Sequence, residues 1–178
     1  MKLKIVYLVF LCFFLSGCGY YRTITGTVVD AETMKPIEGA VVMVEWTKQT
    51  GMGEFYNTKS YKVIEKVTDK NGKVEIDGMF ALIGMVPFIT INAPDIAVYN
   101  PGYVTWSSRA IFPSNKGRED LKWGDHTFKL ERFKPGYSYV EHEKFFNGAT
   151  NSAIGGYKHI IKIFEDSERY KRIEERNK

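Results

Sequence analysis

Ile24 to Asp30 and Ala40 to Trp46 are two runs dominated by β-branched and apolar residues, and the stretch between them is polar. Such runs suit a pleated surface better than a helix. Along the first, Ile24, Gly26 and Val28 share one face and Thr25, Thr27 and Val29 the other, because side chains alternate along a strand. Asp30, Thr33, Pro36 and Gly39 then specify a turn: Asp and Thr bond nearby backbone, Pro fixes φ and Gly accepts positive φ. A second pair of strands is expected within residues 61–76, "YKVIEKVTDKNGKVEI", around the tight turn Asp69-Lys70-Asn71-Gly72. Asn-Gly is a strong hairpin signal, since both residues tolerate positive φ. Aromatics make up 15% of the chain, many of them beside valine and isoleucine. The class expected is mainly β.

Downstream the pattern is less regular. Residues 80–93, "FALIGMVPFITINA", read as a buried strand interrupted by Gly84 and Pro87, which mark a bulge or an edge. Residues 47–59 and 107–125 read as long loops, and 126–132, "HTFKLER", as the closing strand. After Pro135-Gly136 the period changes. Ser138 and Glu141 form a capping box that opens a helix to about Asn147, with Gly148 as its stop. A second helix is expected from near Ala153, with Tyr157, Ile160, Ile161 and Phe164 on one apolar face. Beyond it Glu165 with Arg169, Glu168 with Arg172 and Lys171 with Glu175 pair at i,i+4. Each such pair is worth about 0.2–0.5 kcal/mol, which describes a solvated, frayable end.

The N-terminus carries a different signal. Lys2 and Lys4 precede an uninterrupted apolar run, Ile5 to Leu15, followed by Ser16, Gly17 and Cys18. A membrane-spanning helix needs about 20 apolar residues, so this run is too short and fits the core of an export signal. Leu15-Ser16-Gly17-Cys18 resembles the lipobox of bacterial lipoproteins. The resemblance implies cleavage before Cys18, diacylglycerol on its sulfur, and a domain anchored in the cell-envelope membrane. Gly19, where inner-membrane lipoproteins of many Gram-negative bacteria carry aspartate, implies the outer membrane in a cell that has one. Cys12 would leave with residues 1–17, and an acylated Cys18 cannot pair, so no disulfide is expected. Lys2 and Lys4 would leave as well, taking the net charge from +4 to +2. That charge, without a basic stripe interleaved with aromatics, gives no reason to expect nucleic acid as a partner.

A second resemblance rests on Gly26, Val28, Asp30, Thr33, Pro36, Ile37, Gly39, Ala40 and Val42, followed by Thr68, Asp69 and Gly72. With Tyr99 to Thr105, "YNPGYVT", they resemble the carboxypeptidase regulatory-like domain over about residues 22–131. The resemblance implies a prealbumin-like Greek-key β-sandwich of about seven strands. The organisation expected is a signal peptide at 1–17, the β-sandwich at 18–132 and a C-terminal helical extension at 133–178.

In zinc peptidases the resembled domain stands beside the catalytic one, and no metal-ligand spacing occurs in this chain. His126, His142 and His159 give neither H-x-x-E nor H-E-x-x-H, and adjacent His142-Glu143 would diverge by about 100° on a helix. Asp69 to Gly72 lacks the flanking acids of an EF-hand, since Val67 and Gly78 occupy those positions. "GMGEFY" at 51–56 lacks the third glycine and the lysine of a phosphate loop. No G-x-S-x-G occurs. The expectation is therefore no enzyme and no cofactor. Phe55 and Tyr56 in one long loop, and Trp106, Phe112 and Trp123 in or beside the other, remain as candidate ligand-binding residues. Aromatic platforms suit sugars or proteins, while the plainer reading folds these rings back over the sandwich as satellite core. The functional expectation is a membrane-anchored, non-enzymatic interaction or structural module with an envelope protein as partner. The alternative is a carbohydrate-binding module for envelope glycans.

Overall fold

The computed structural model describes residues 18–52, 55–82 and 89–149, together with Glu165, Arg169 and Arg172. Strands run β1 (Cys18–Tyr21), β2 (Ile24–Asp30), β3 (Val41–Met52), β4 (Phe55–Val67), β5 (Lys73–Ile76) and β6 (Met79–Leu82). They continue with β7 (Ile89–Ile91), β8 (Asp95–Tyr99), β9 (Trp106–Ser107), β10 (Ala110–Ile111), β11 (Lys116–Gly117) and β12 (His126–Leu130). They are followed by the helix α1 (Tyr139–Gly148). The mainly β class is what the sequence pattern led us to expect.

Eight of these strands make the sandwich, where the resemblance implies about seven. One sheet has the order β12-β2-β5, with β12 parallel and β5 antiparallel to β2. The other is five-stranded, with the order β4-β3-β8-β9 and β7 also paired to β3, antiparallel throughout. Their inner faces meet in a core of Ile24, Val28, Ile76, Phe128 and Leu130 against Val42, Val44, Trp46, Ile96, Val98 and Trp106. A third layer covers the other side of the second sheet. There Val41, Met43, Ala97 and Tyr99 pack against Phe146 and Ala149 at the end of α1. The upper half of β3 is thus buried on both faces, which is why "VVMVEW" does not alternate.

The motif residues build the frame. Asp30 Oδ1 accepts from the backbone N–H of Glu32 and of Thr33, at 3.0 and 2.9 Å. Its Oδ2 accepts from the Tyr103 hydroxyl at 3.0 Å and pairs with Arg132 Nε at 2.7 Å. One buried carboxylate therefore joins the first turn to the Pro-Gly-Tyr segment and to the end of the closing strand. Its pKa lies well below the ordinary aspartate value, chiefly because the Thr33 N–H stabilises the charged form. Thr68 acts similarly: its hydroxyl donates to the Ile37 carbonyl at 2.7 Å and accepts from Ala40 N–H at 2.9 Å. Gly26 leaves no room for a Cβ, which would sit 2.5 Å from the Phe128 ring and 2.6 Å from the His126 carbonyl. Gly72 has φ +70° and faces the Val28 carbonyl.

Several expectations change. Neither turn closes a hairpin: β2 and β3 lie in different sheets, and so do β4 and β5. Turn residues reverse the chain equally well within a sheet or between sheets, and the strand partners decide which. Asn71 is not among the positive-φ residues, so only Gly72 uses that freedom in this turn. Residues 47–52 and 55–59 are strand, not loop. They belong to the long β3–β4 hairpin, which runs in register from Thr47 facing Ser60 to Met52 facing Phe55. The stretch 80–93 is divided between two sheets, β6 pairing with β1 and β7 with β3, and Gly84 and Pro87 lie outside the described residues. Helix α1 starts at its expected cap, Ser138 Oγ accepting from Glu141 N–H at 3.3 Å. The stripe Tyr157 to Phe164 lies outside the described residues. Arg172, which is helical, donates to Glu143 Oε2 of α1 at 3.0 Å.

At one end the sandwich is prolonged. β1 and β6 continue the β2–β5 ladder in the same register, Tyr21 facing Met79 as Ile24 faces Ile76. β7 lies beside the far half of β3, with Lys48 facing Ile91. The Tyr21 hydroxyl donates to the Ile91 carbonyl at 2.7 Å and ties the two extensions together.

Candidate interaction surface

The structure separates the five candidate aromatics. Trp106, on β9, is 4% exposed and belongs to the core. Its ring meets His126 at 5.2 Å and Phe128 at 4.9 Å, and the Arg118 guanidinium lies over it at 4.4 Å. Phe112 is buried among Tyr137, His142 and Phe145, at 5.2, 5.3 and 5.4 Å, and so joins the long loop to α1. Neither ring is offered to solvent. Phe55 is 90% exposed, Tyr56 60% and Trp123 41%. These three form the part of the set that a partner could meet.

One cleft lies at Trp123 and another at Phe112. The first, of about 300 Å³, is lined by Tyr21, Arg22, Ile24, Ala93, Pro94 and Trp123 beside the prolonged end. The other, of about 480 Å³, lies between α1 and the 107–115 stretch, with Arg109, Phe112, Glu141, Lys144 and Phe145 on its walls. Arg109 is committed to the fold there, pairing with Asp95 at 3.2 Å and donating to the Gly148 carbonyl at 3.5 Å. Burial raises the pKa of Asp95, opposed by Arg109 and reinforced by Glu45.

The buried histidines serve packing. His142 Nε2 accepts from Thr105 N–H at 2.9 Å and pins α1 to the entry of β9. His126 Nδ1 accepts from Lys122 N–H at 3.3 Å, and burial holds its pKa below the ordinary histidine value. Among the described residues no group of three or more His, Cys, Asp or Glu side chains could hold a metal ion. Sequence reasoning missed Arg118, Arg132 and His142 as partners of the aromatic and acidic framework. Only Arg132 gives a local signal, as the last residue of the stretch expected to close the sandwich. Cys18 is the first residue of β1 and faces Leu82 of β6.

No family model matches the chain, and no curated protein sequence matches it. Among solved structures it is similar to a streptococcal ancillary pilin, at 13% identity and TM-score 0.29, over 65% of this chain and 30% of that one. It is also similar to the C-terminal domain of the shaft pilin SpaA from Lactobacillus rhamnosus GG, at 13% identity and TM-score 0.30, over 65% and 99% of the two chains. A 9R-lipoxygenase from Cyanothece matches at 13% identity and TM-score 0.29, over 66% and 18%. The chain thus spans less than a third of the ancillary pilin and of the lipoxygenase. Similarity at this level assigns neither a family nor a function, and the class rests on the architecture itself: a mainly β, two-sheet sandwich with a helical third layer.

Proposed function

We propose that this chain is a lipid-anchored, non-enzymatic interaction module of the bacterial cell envelope, built on a carboxypeptidase regulatory-like sandwich. The observation that carries the reading is Leu15-Ser16-Gly17-Cys18 at the end of a short apolar run. Acylated Cys18 is the anchor, and β1 begins at that residue, so the folded domain sits directly on the membrane. Gly19 favours the outer membrane where there are two. The partner is an envelope protein, and residues 133–178 form a helical extension of the sandwich. In the test, cells expressing the protein are fed labelled palmitate. The wild type incorporates label and Cys18→Ala does not; label persisting in the variant would refute the anchor.

A second reading, a module for envelope glycans, draws on Trp123, which is half-exposed beside the cleft lined by Tyr21 and Pro94. An aromatic face at a shallow groove suits a sugar ring. Binding on a glycan array that is lost in Trp123→Ala would favour it over the protein-partner reading.

A further inference from the structure

We propose that the end of the β3–β4 hairpin, through Phe55 and Tyr56, is a second membrane contact made by the protein itself, at the level where Cys18 enters the lipid. The proposal rests on Cys18 being acylated, which sets where the bilayer lies. The geometry supplies the rest. From the Tyr21–Ile91 hydrogen bond the two extensions run away from the sandwich together. Cys18 is three residues beyond Tyr21, and Met52, facing Phe55, is four residues beyond Lys48, which faces Ile91. At about 3.3 Å per residue these reaches are roughly 10 and 13 Å. A surface that receives the lipid of Cys18 therefore also receives the hairpin end.

The residues there suit an interface. Neighbours on a strand point to opposite faces, so Phe55 and Tyr56 make both faces of the ribbon aromatic at its end. Phe55 is 90% exposed and makes no contribution to the core. Tyr56, 60% exposed, is of the amphipathic kind that collects at the headgroup level. Farther up the hairpin Lys48 and Lys59 face each other directly. Like charges in that position oppose strand pairing in water. Above an anionic membrane surface the same pair gains favourable partners, and its long side chains can extend toward the phosphates. The surface recognised is thus an anionic phospholipid interface.

The test uses the full-length acylated protein in phosphatidylethanolamine vesicles with and without phosphatidylglycerol, the acyl mass being verified on the same sample. Phe55→Trp is placed in a Trp123→Phe background. The other tryptophans, Trp46 and Trp106, are 0% and 4% exposed and give a constant background, recorded with Trp123→Phe alone. The expected result is a blue shift of residue-55 emission and its loss to lipids brominated on the acyl chains. Both effects should grow with phosphatidylglycerol and weaken in Lys48→Gln/Lys59→Gln. Water-like, unquenched emission from an acylated sample overturns the proposal and leaves the anchor standing. So does emission shielded only in intact envelopes, which would assign the hairpin end to a protein. A sample without the acyl mass overturns the anchor, and this proposal with it.

Discussion

Asp30 shows how much one side chain can hold. It is buried, its two oxygens engage Glu32, Thr33, Tyr103 and Arg132, and these partners come from three separate stretches of chain. Its folded pKa is depressed, so the stability it confers is fully present above the unfolded value of about 3.9 and is lost as pH falls toward and through the folded one. His126 adds to the acid side of the profile. Its folded pKa lies below the unfolded value of about 6.5, so protonation favours the unfolded chain as pH drops. Asp30→Ala should lower the melting temperature at neutral pH and flatten its decline between roughly pH 4 and pH 2, where the carboxylate contributes. A melting series against pH reads both effects, and an unchanged acid limb would count against the hub. Gly72 gives a second prediction. Its φ of +70° and the Val28 carbonyl facing it leave no place for a β-branched side chain. Gly72→Val should cost more than about 1 kcal/mol in urea unfolding; a silent change would contradict the turn geometry.

At the scale of elements, β4 is the edge of the second sheet and spans Phe55–Val67. A long edge invites pairing with another chain unless it is guarded. Here Lys59, Lys62 and Lys66 stand exposed along it, and the register shifts at Trp46/Thr47, skipping Tyr61. Replacing Lys62 and Lys66 with valine should leave the fold intact and produce concentration-dependent self-association in sedimentation. A variant that stays monomeric would show that the shifted register suffices. The same strand marks where sequence reading falls short. Strand identity was legible at β2, β3, β5 and β12, because alternation and turn residues are local signals. Sheet membership was not, since Asp69 to Gly72 looks the same whether it joins paired strands or crosses between layers. A long loop is expected at 47–59, yet cross-strand pairing carries β3 to Met52 and β4 from Phe55. Trp106, Phe112 and Phe55 illustrate the same limit at the surface. The aromatic residue type was visible, but exposure depends on packing partners such as Arg118 and His142 that lie far off in the chain.

Among the described residues the molecule has three layers, and the third is part of its core. Phe146 is 6% exposed and meets Tyr99 edge-on, with ring centroids 6.0 Å apart. Phe146→Ala should therefore destabilise the domain by about 3 kcal/mol, the lower end for a buried phenylalanine, in chemical unfolding. A loss below about 0.5 kcal/mol, the range of surface changes, would mean that α1 merely rests on the sheet. The first sheet is completed in an unusual order. β12 lies parallel to β2, Phe128 facing Val28, and Asp125 N–H reaches Thr25 Oγ1 across 100 positions of sequence. While a ribosome is still delivering the chain, β2 has only β5 beside it and the sandwich has no closing strand. Contacts this remote are slow to form, since the intervening chain must first be brought round. The domain therefore stays open during synthesis and closes only once the stretch His126–Leu130 has emerged.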